Sequence, residues 1–156
     1  MIPLYIFDLD GTLALIDHRR PILEDTSMPL NERWRKFFAA CVDDTPNMPV
    51  IAVYQSLAKL DYLGEMVDLE IWSGRSSEVE LETRRWLSEY VANDVELKMR
   101  QAGDMRPDTE LKQAWIDEMS PEDRARLVAV FDDRNSVCQM WRRNNVTVFQ
   151  VAEGNF

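Results

Sequence analysis

Ile6-Phe7-Asp8-Leu9-Asp10-Gly11-Thr12 is the stretch that decides how this chain is read. It overlaps the apolar run Leu4-Tyr5-Ile6-Phe7, which reads as a short buried strand, so Asp8 stands at a strand's carboxyl end. Leu9 spaces Asp10 so that both carboxylates can project from one tight turn, and Gly11 permits that turn by accepting unusual dihedrals. Carboxylates clustered at a buried strand end repel one another, so a cation or bound protons must offset them. Magnesium suits such a site because it takes oxygen ligands, and few of them from protein. With the charge offset, one carboxylate can attack phosphorus while the other protonates the leaving oxygen and then activates water. Asp8 fits the nucleophile and Asp10 the acid and base.

Outward from that turn, strand-like runs at 4–7, 67–72, 95–99, 127–131 and 146–151 alternate with amphipathic stretches. The stretch 49–63 carries Ile51, Val53, Tyr54, Leu57 and Leu60 at near-helical spacing and is stopped by Gly64. Helices are also expected over 76–90, with Val79, Trp86 and Leu87 inward, over 108–119, and over 135–144, opened by Asn135-Ser136 as a cap. Such alternation implies an α/β fold: a Rossmann-like parallel sheet with helices on both faces. At 156 residues and 46% hydrophobic, one domain over 1–156 is the expectation. The irregular part, 13–48, holds His18-Arg19-Arg20, three prolines and a helical stretch at 32–41, and reads as a small lid or cap inserted after the first strand.

Open α/β sheets bind ligands at the carboxyl ends of their strands, and three polar loops fall there: Asp8 with Asp10, Ser73 with Gly74, and Asp132 with Asp133. Phosphoryl oxygens need donors, for which Ser73, Arg75, Lys112 and loop amides are candidates, with Thr12 and Gly74 beside them. Each motif has an ordinary reading alone, since Asp-Gly-Thr makes common turns and Asp-Asp pairs cap helices. Their order along one chain, each after a strand or near a helix start, points to a catalytic set.

That ordered set resembles the haloacid dehalogenase (HAD) superfamily, with its Asp-x-Asp-Gly-Thr motif, a Ser or Thr, a Lys and a terminal acidic pair. More narrowly, Trp72-Ser73-Gly74-Arg75, Gly103-Asp104-Met105-Arg106-Pro107-Asp108, Phe131-Asp132-Asp133-Arg134, Met140-Trp141-Arg142-Arg143 and the closing 149–156 are similar to the 3'-phosphatase domain of bacteriophage polynucleotide kinase. The resemblance implies Asp8 as nucleophile and Asp10 as general acid and base. It implies Mg2+ held by Asp8, the Asp10 carbonyl and Asp132, with Asp133 behind them. It also implies a phosphate held by Ser73, Arg75 and Lys112, with Arg106 helping to bind substrate. The phosphate-loop pattern Gly-x-x-x-x-Gly-Lys-Ser/Thr is absent, so kinase activity is not expected of this chain.

Composition narrows the partners. A net charge of -10 without a basic track argues against wrapping of long nucleic acid, although one phosphate end can be gripped locally. His18 is the only histidine, which excludes a His-based metal site or a Ser-His triad; it reads as a surface or lid contact. Cys41 and Cys138 read as buried thiols, and no apolar run reaches the ~18 residues of a membrane span. A cytoplasmic protein is therefore expected, in the host cytoplasm if phage-encoded, with no membrane partner. Arg19 and Arg20 either reach a second phosphate or line a solvated turn. Trp34, Phe37 and Phe38 suit base stacking, but helical spacing favours core packing, and Trp86, Trp115 and Trp141 are assigned to helix packing.

The expected function is Mg-dependent hydrolysis of a phosphomonoester through an aspartyl-phosphate, removing a 3'-phosphate from a nucleotide or polynucleotide end. A separate kinase or ligase in end repair is the expected partner. The alternatives are a phosphatase of free nucleotides or another small metabolite, and a non-catalytic metal-binding interaction module.

Overall fold

The structure, a computed structural model, describes residues 1–62 and 66–155. Five parallel strands form its sheet: β1 (Leu4–Phe7), β4 (Asp68–Ser76), β5 (Glu96–Arg100), β6 (Leu127–Arg134) and β7 (Val148–Gly154). Two more strands, β2 (Ala14–Leu15) and β3 (Thr45–Pro46), pair antiparallel as a separate ribbon. The sheet order is β5-β4-β1-β6-β7. The chain therefore builds outward from β1 on one side and then crosses to fill the other. Connections leave β1 and β6 in opposite directions, which opens a crevice at their carboxyl ends.

Strand alternation explains why the sheet is covered on both faces. Leu4 and Ile6 join a cluster with Trp72, Val130 and the helices α5 (Asp108–Asp117) and α7 (Asn135–Arg143), which supply Leu111, Trp115, Met140 and Trp141. Phe7, one residue on, enters the opposite cluster with Ile71 and the helices α3 (Met48–Tyr62) and α4 (Glu80–Tyr90), through Ile51, Tyr54, Trp86 and Leu87. Trp86, Trp115 and Trp141 are buried in helix packing, and Cys41 and Cys138 are buried free thiols.

β4 and β6 run past the expected ends at 72 and 131. Their final residues are polar, so the apolar pattern stops before the strand does. Register shifts between Ser73 and Ser76 and between Asp132 and Arg134 mark irregular pairing there, the kind of bulge that re-aims side chains at a sheet's end. The expected helix at 76–90 begins instead as a 3-10 turn, Ser77–Val79, whose N-cap Ser76 accepts from the Glu78 N–H. The helix expected to reach Met119 ends at Asp117. A short helix α6 (Pro121–Arg126) follows, capped by Ser120 and not anticipated from apolar spacing because it buries no residue. Gly64, the expected stop of α3, and Phe156 lie outside the described residues.

Between β1 and α3 the chain forms a 3-10 turn (Asp17–Arg19), α1 (Arg20–Glu24), α2 (Leu30–Ala39) and a second 3-10 turn (Ala40–Asp43). The β2–β3 ribbon brings the ends of this excursion together, pairing Ala14 with Pro46. Asn47 adds to the closure: its N–H donates to the Leu13 carbonyl at 2.8 Å and its side-chain amide to the Thr12 carbonyl at 2.8 Å. No helix among the described residues is long and apolar enough to cross a membrane.

Candidate active site

The turn after β1 is shaped by backbone bonds. The Leu9 carbonyl accepts from the amides of Leu13 at 3.0 Å and Ala14 at 2.9 Å, while the Gly11 N–H donates to the Ala14 carbonyl at 2.8 Å. Gly11 has φ +91°, and a Cβ there would run into the Asp133 carboxylate. Glycine is thus required twice, for the dihedral and for the approach of the acidic pair. The Asp8 N–H donates to the Phe131 carbonyl at 2.8 Å, tying the carboxyl ends of β1 and β6 together.

This brings Asp8, Asp132 and Asp133 into one buried group, each offering an oxygen within 4.8 Å of the others. Lys112, one turn into α5, reaches between them: its ammonium donates to Asp8 Oδ1 at 2.6 Å and Asp132 Oδ2 at 2.8 Å. Burial works against that ammonium's charge, but Asp132 and Asp8 outweigh it and hold its pKa above the ordinary lysine range. Three carboxylates nevertheless face one ammonium. Burial pushes Asp8 well above the ordinary carboxylate range, with Asp132 and Asp133 adding to the push and Lys112 opposing it. Burial and then Asp132 raise Asp133 to about 6. Among the described residues the three carboxylates outnumber the one ammonium in contact with them, and their oxygens are grouped closely enough that they could hold a divalent cation.

Asp10 has different neighbours. Arg19 donates to Asp10 Oδ1 at 2.8 Å and to Asp44 through Nε at 2.7 Å and Nη2 at 2.8 Å. Arg75 bonds Asp10 through Nη2 and, at 3.1 Å, through Nε; it also donates to Asp44 Oδ2 at 2.7 Å and Thr83 Oγ1 at 3.2 Å. Two arginines and two carboxylates form a charge-balanced, buried knot. Burial alone would raise the Asp10 pKa, yet Arg75 and then Arg19 win and lower it to about 2.

Asp108, the first residue of α5, is held by Arg100 Nη2 and by Arg134 Nη1 at 2.8 Å. Arg100 in turn donates to the Gly74 carbonyl at 2.7 Å and the Arg106 carbonyl at 2.6 Å, joining β5, the end of β4 and the loop before α5. Gly74 has no room for a Cβ because the Asp108 carboxylate lies against it.

These groups border one pocket of about 430 Å3. Asp8, Asp10, Lys112, Asp132 and Asp133 are among its lining residues. Trp34, Phe38, Leu23 and Ile16 contribute apolar surface, while Arg100, Arg106 and Arg134 line it together with their ion-pair partners Asp104 and Asp108.

Of the residues singled out in the sequence, Asp8, Lys112, Asp132 and Asp133 come together, and Asp10 and Gly74 reach the same pocket. Arg106 lies at the rim, exposed and paired with Asp104 at 2.6 Å. Three residues stand apart from the expected phosphate set. Arg75 is wholly buried on Asp10 and Asp44, Ser73 is buried with its Oγ accepting from the Arg75 N–H at 3.2 Å, and Thr12 is buried outside the pocket wall. Arg19 is neither a solvated turn nor a free phosphate clamp, because Asp10 and Asp44 occupy its guanidinium. His18 is half-exposed, with Nε2 3.3 Å from the Ala40 carbonyl. Trp34 and Phe38 correct the expectation of core packing: both are half-buried and line the pocket, and only Phe37 of the three is buried. Asp44, Arg100 and Asp108 were missed as site residues. Asp108 lay within a quoted motif, whereas nothing local marks Asp44.

The family model described as the polynucleotide kinase PNKP phosphatase domain matches residues 3–156. A protein of Autographa californica nuclear polyhedrosis virus, named as a bifunctional polynucleotide kinase/RNA ligase, is 30% identical over 147 residues, covering 93% of this chain and 19% of the viral protein. Two solved structures, of the Pnkp1/Rnl/Hen1 complex and the Pnkp1/Rnl/Hen1 RNA repair complex, align over 99% of this chain at 29% identity, with TM-scores of 0.73 and 0.77. The chain spans 48% and 44% of those two chains, so it corresponds to less than half of each relative.

Proposed function

Since the chain belongs to the polynucleotide kinase PNKP phosphatase domain family, a phosphatase family of the HAD superfamily, we propose that it removes the 3'-phosphate from a nucleotide or polynucleotide end, with Asp8 as nucleophile. The observation that carries this reading is the buried Asp8–Lys112–Asp132 contact on the pocket wall, at the sheet's switch point. The Lys112 ammonium orients the Asp8 carboxylate and favours its charged form, opposing the burial that raises its pKa.

Asp10, ionised in the free site, first takes a proton from solvent as the substrate phosphate arrives; an Asp8 oxygen then bonds to phosphorus as the bond from phosphorus to the 3'-oxygen breaks, and the departing oxygen takes that proton from Asp10. In the second, Asp10 takes a proton from water as that water attacks phosphorus, the bond to Asp8 breaks and inorganic phosphate leaves. Arg19 and Arg75 hold Asp10 in place for both proton transfers. An arriving phosphate adds negative charge beside Asp10 and raises its proton affinity, offsetting the two arginines.

Magnesium fits the cluster because Asp8, Asp132 and Asp133 converge with surplus negative charge. The Asp10 carboxylate is taken up by the arginines, so the part of Asp10 suited to an ion is its carbonyl. When bound, the ion neutralises the carboxylates and draws charge from the phosphoryl oxygens. Lys112 serves the same oxygens from the other element, and the excursion from 13 to 48 acts as the cap over the pocket.

The names of the relatives support a place beside a kinase or ligase in end repair. The net charge of -10 favours a second reading, a phosphatase of free nucleotides or another small phosphorylated metabolite. Phosphate release from a 3'-phosphorylated oligonucleotide, against mononucleotides and sugar phosphates, separates the two. Asp8→Asn should abolish release while leaving the fold intact, because a carboxamide cannot form the acyl phosphate. Activity retained in that variant overturns the mechanism.

A further inference from the structure

We propose that Trp34 and Phe38 are a stacking platform for the 3'-terminal nucleobase, so that the domain recognises one terminal nucleoside rather than a tract of backbone. The proposal rests on the 3'-phosphatase reading and names the unit that it recognises.

Trp34, Phe37 and Phe38 share one face of α2 through their i, i+3 and i+4 spacing. They do different things. Phe37 is buried, its ring 4.3 Å from the Arg19 guanidinium and its carbonyl accepting from Arg19 Nη1 at 3.3 Å. Because Arg19 also bonds Asp10, this anchor ties α2 to Asp10. Trp34 and Phe38 are half-buried on the pocket wall, their rings 28° from parallel with centroids 5.6 Å apart. Leu23 and Ile16 extend the same apolar surface.

Neither the catalytic carboxylates nor a phosphate has use for these rings. A flat aromatic ligand joined to that phosphate does, since stacking tolerates any base. Charge points the same way. A chain of net charge -10 offers little counter-charge to a run of phosphates, so binding energy has to come from the nucleoside next to the scissile phosphate.

Trp34→Leu and Phe38→Leu keep apolar volume and remove the aromatic faces. Together they should raise KM about ten- to a hundred-fold on an oligonucleotide with an intact 3'-phosphorylated end. They should leave kcat/KM unchanged on the same oligonucleotide ending in an abasic 3'-phosphate, and Trp34→Phe should recover most of the loss. An equal fall on both substrates assigns the rings a structural role and overturns the proposal, as does no change on either.

Binding is read separately in Asp8→Asn protein, where a nucleoside 3'-phosphate should quench part of the tryptophan fluorescence and Trp34→Phe should abolish that quenching, because Trp72, Trp86, Trp115 and Trp141 are buried. Quenching without turnover by the parent chain sinks the hydrolytic reading and leaves the platform standing; turnover without quenching does the reverse.

Discussion

Asp44 Oδ2 accepts a hydrogen bond from Arg75 Nη2 at 2.7 Å across 31 residues of sequence, linking the excursion after β1 to the end of β4. The same carboxylate accepts from Arg19 Nε at 2.7 Å, and all three side chains are fully buried. The excursion is therefore joined to the catalytic turn through charge as well as through the β2–β3 ribbon.

Asp44→Ala leaves two buried guanidiniums sharing Asp10 alone. A broken buried ion pair costs about 3–5 kcal/mol because the orphaned charge stays desolvated. Chemical denaturation should show a loss of that order, with phosphate release falling as Asp10 loses its fixed position. An unchanged midpoint would mean that the knot contributes nothing to stability.

Lys112→Met removes the one ammonium in contact with Asp8 and Asp132 among the described residues. Removing a donor aimed at the reacting group costs roughly 10²–10³-fold in kcat. Single-turnover phosphate release measures this directly, and a loss under threefold speaks against any role for the ammonium in the chemistry.

Gly11→Ala should cost at least about 1 kcal/mol from the positive φ alone, before the clash with Asp133 is counted. Thermal unfolding should show a lower Tm, and activity should fall with it because the displaced group is Asp133. Gly103, also at positive φ but with nothing near its Cβ position, is the control: Gly103→Ala should lose stability without loss of turnover.

Chelation with EDTA should stop phosphate release, and added Mg2+ should restore it. Mg2+ should also raise the Tm of the native chain more than that of Asp132→Asn, because an ion that binds only the folded state stabilises it by mass action. An equal rise in both proteins places the ion elsewhere.

Asp104 is lowered to about 2 by hydrogen bonds from the Arg106 side chain and backbone. A depressed carboxyl favours the folded pairing above the ordinary value near 3.8, and that contribution is lost as pH falls towards 2. Carboxyl NMR titration should place the Asp104 midpoint near 2 and move it up towards 3.8 in Arg106→Gln. The absence of such a shift would show that Arg106 is free at the pocket rim.

Much of this arrangement was legible in the residues. The first strand falls on Leu4–Phe7 as its apolar run implies, and the acidic turn follows it because Gly11 can take a dihedral that other residues resist. The apolar pattern places the starts of the central strands to within one residue but stops short of their ends, where Ser73 to Ser76 and Asp132 to Arg134 carry the site and interrupt it. A strand that ends in functional residues hides its own boundary from hydropathy.

By itself the sequence determined the alternation of strands and helices, the turn that presents Asp8, and the candidate set containing Lys112, Asp132 and Asp133, since these depend on local periodicity and residue chemistry. Tertiary structure alone decided that Arg75 and Arg19 belong to Asp10 and Asp44, and that Trp34 and Phe38 face a pocket. A buried guanidinium takes whichever carboxylate the folded chain brings to it. An aromatic at i, i+4 spacing looks the same whether its helix faces a core or a cleft.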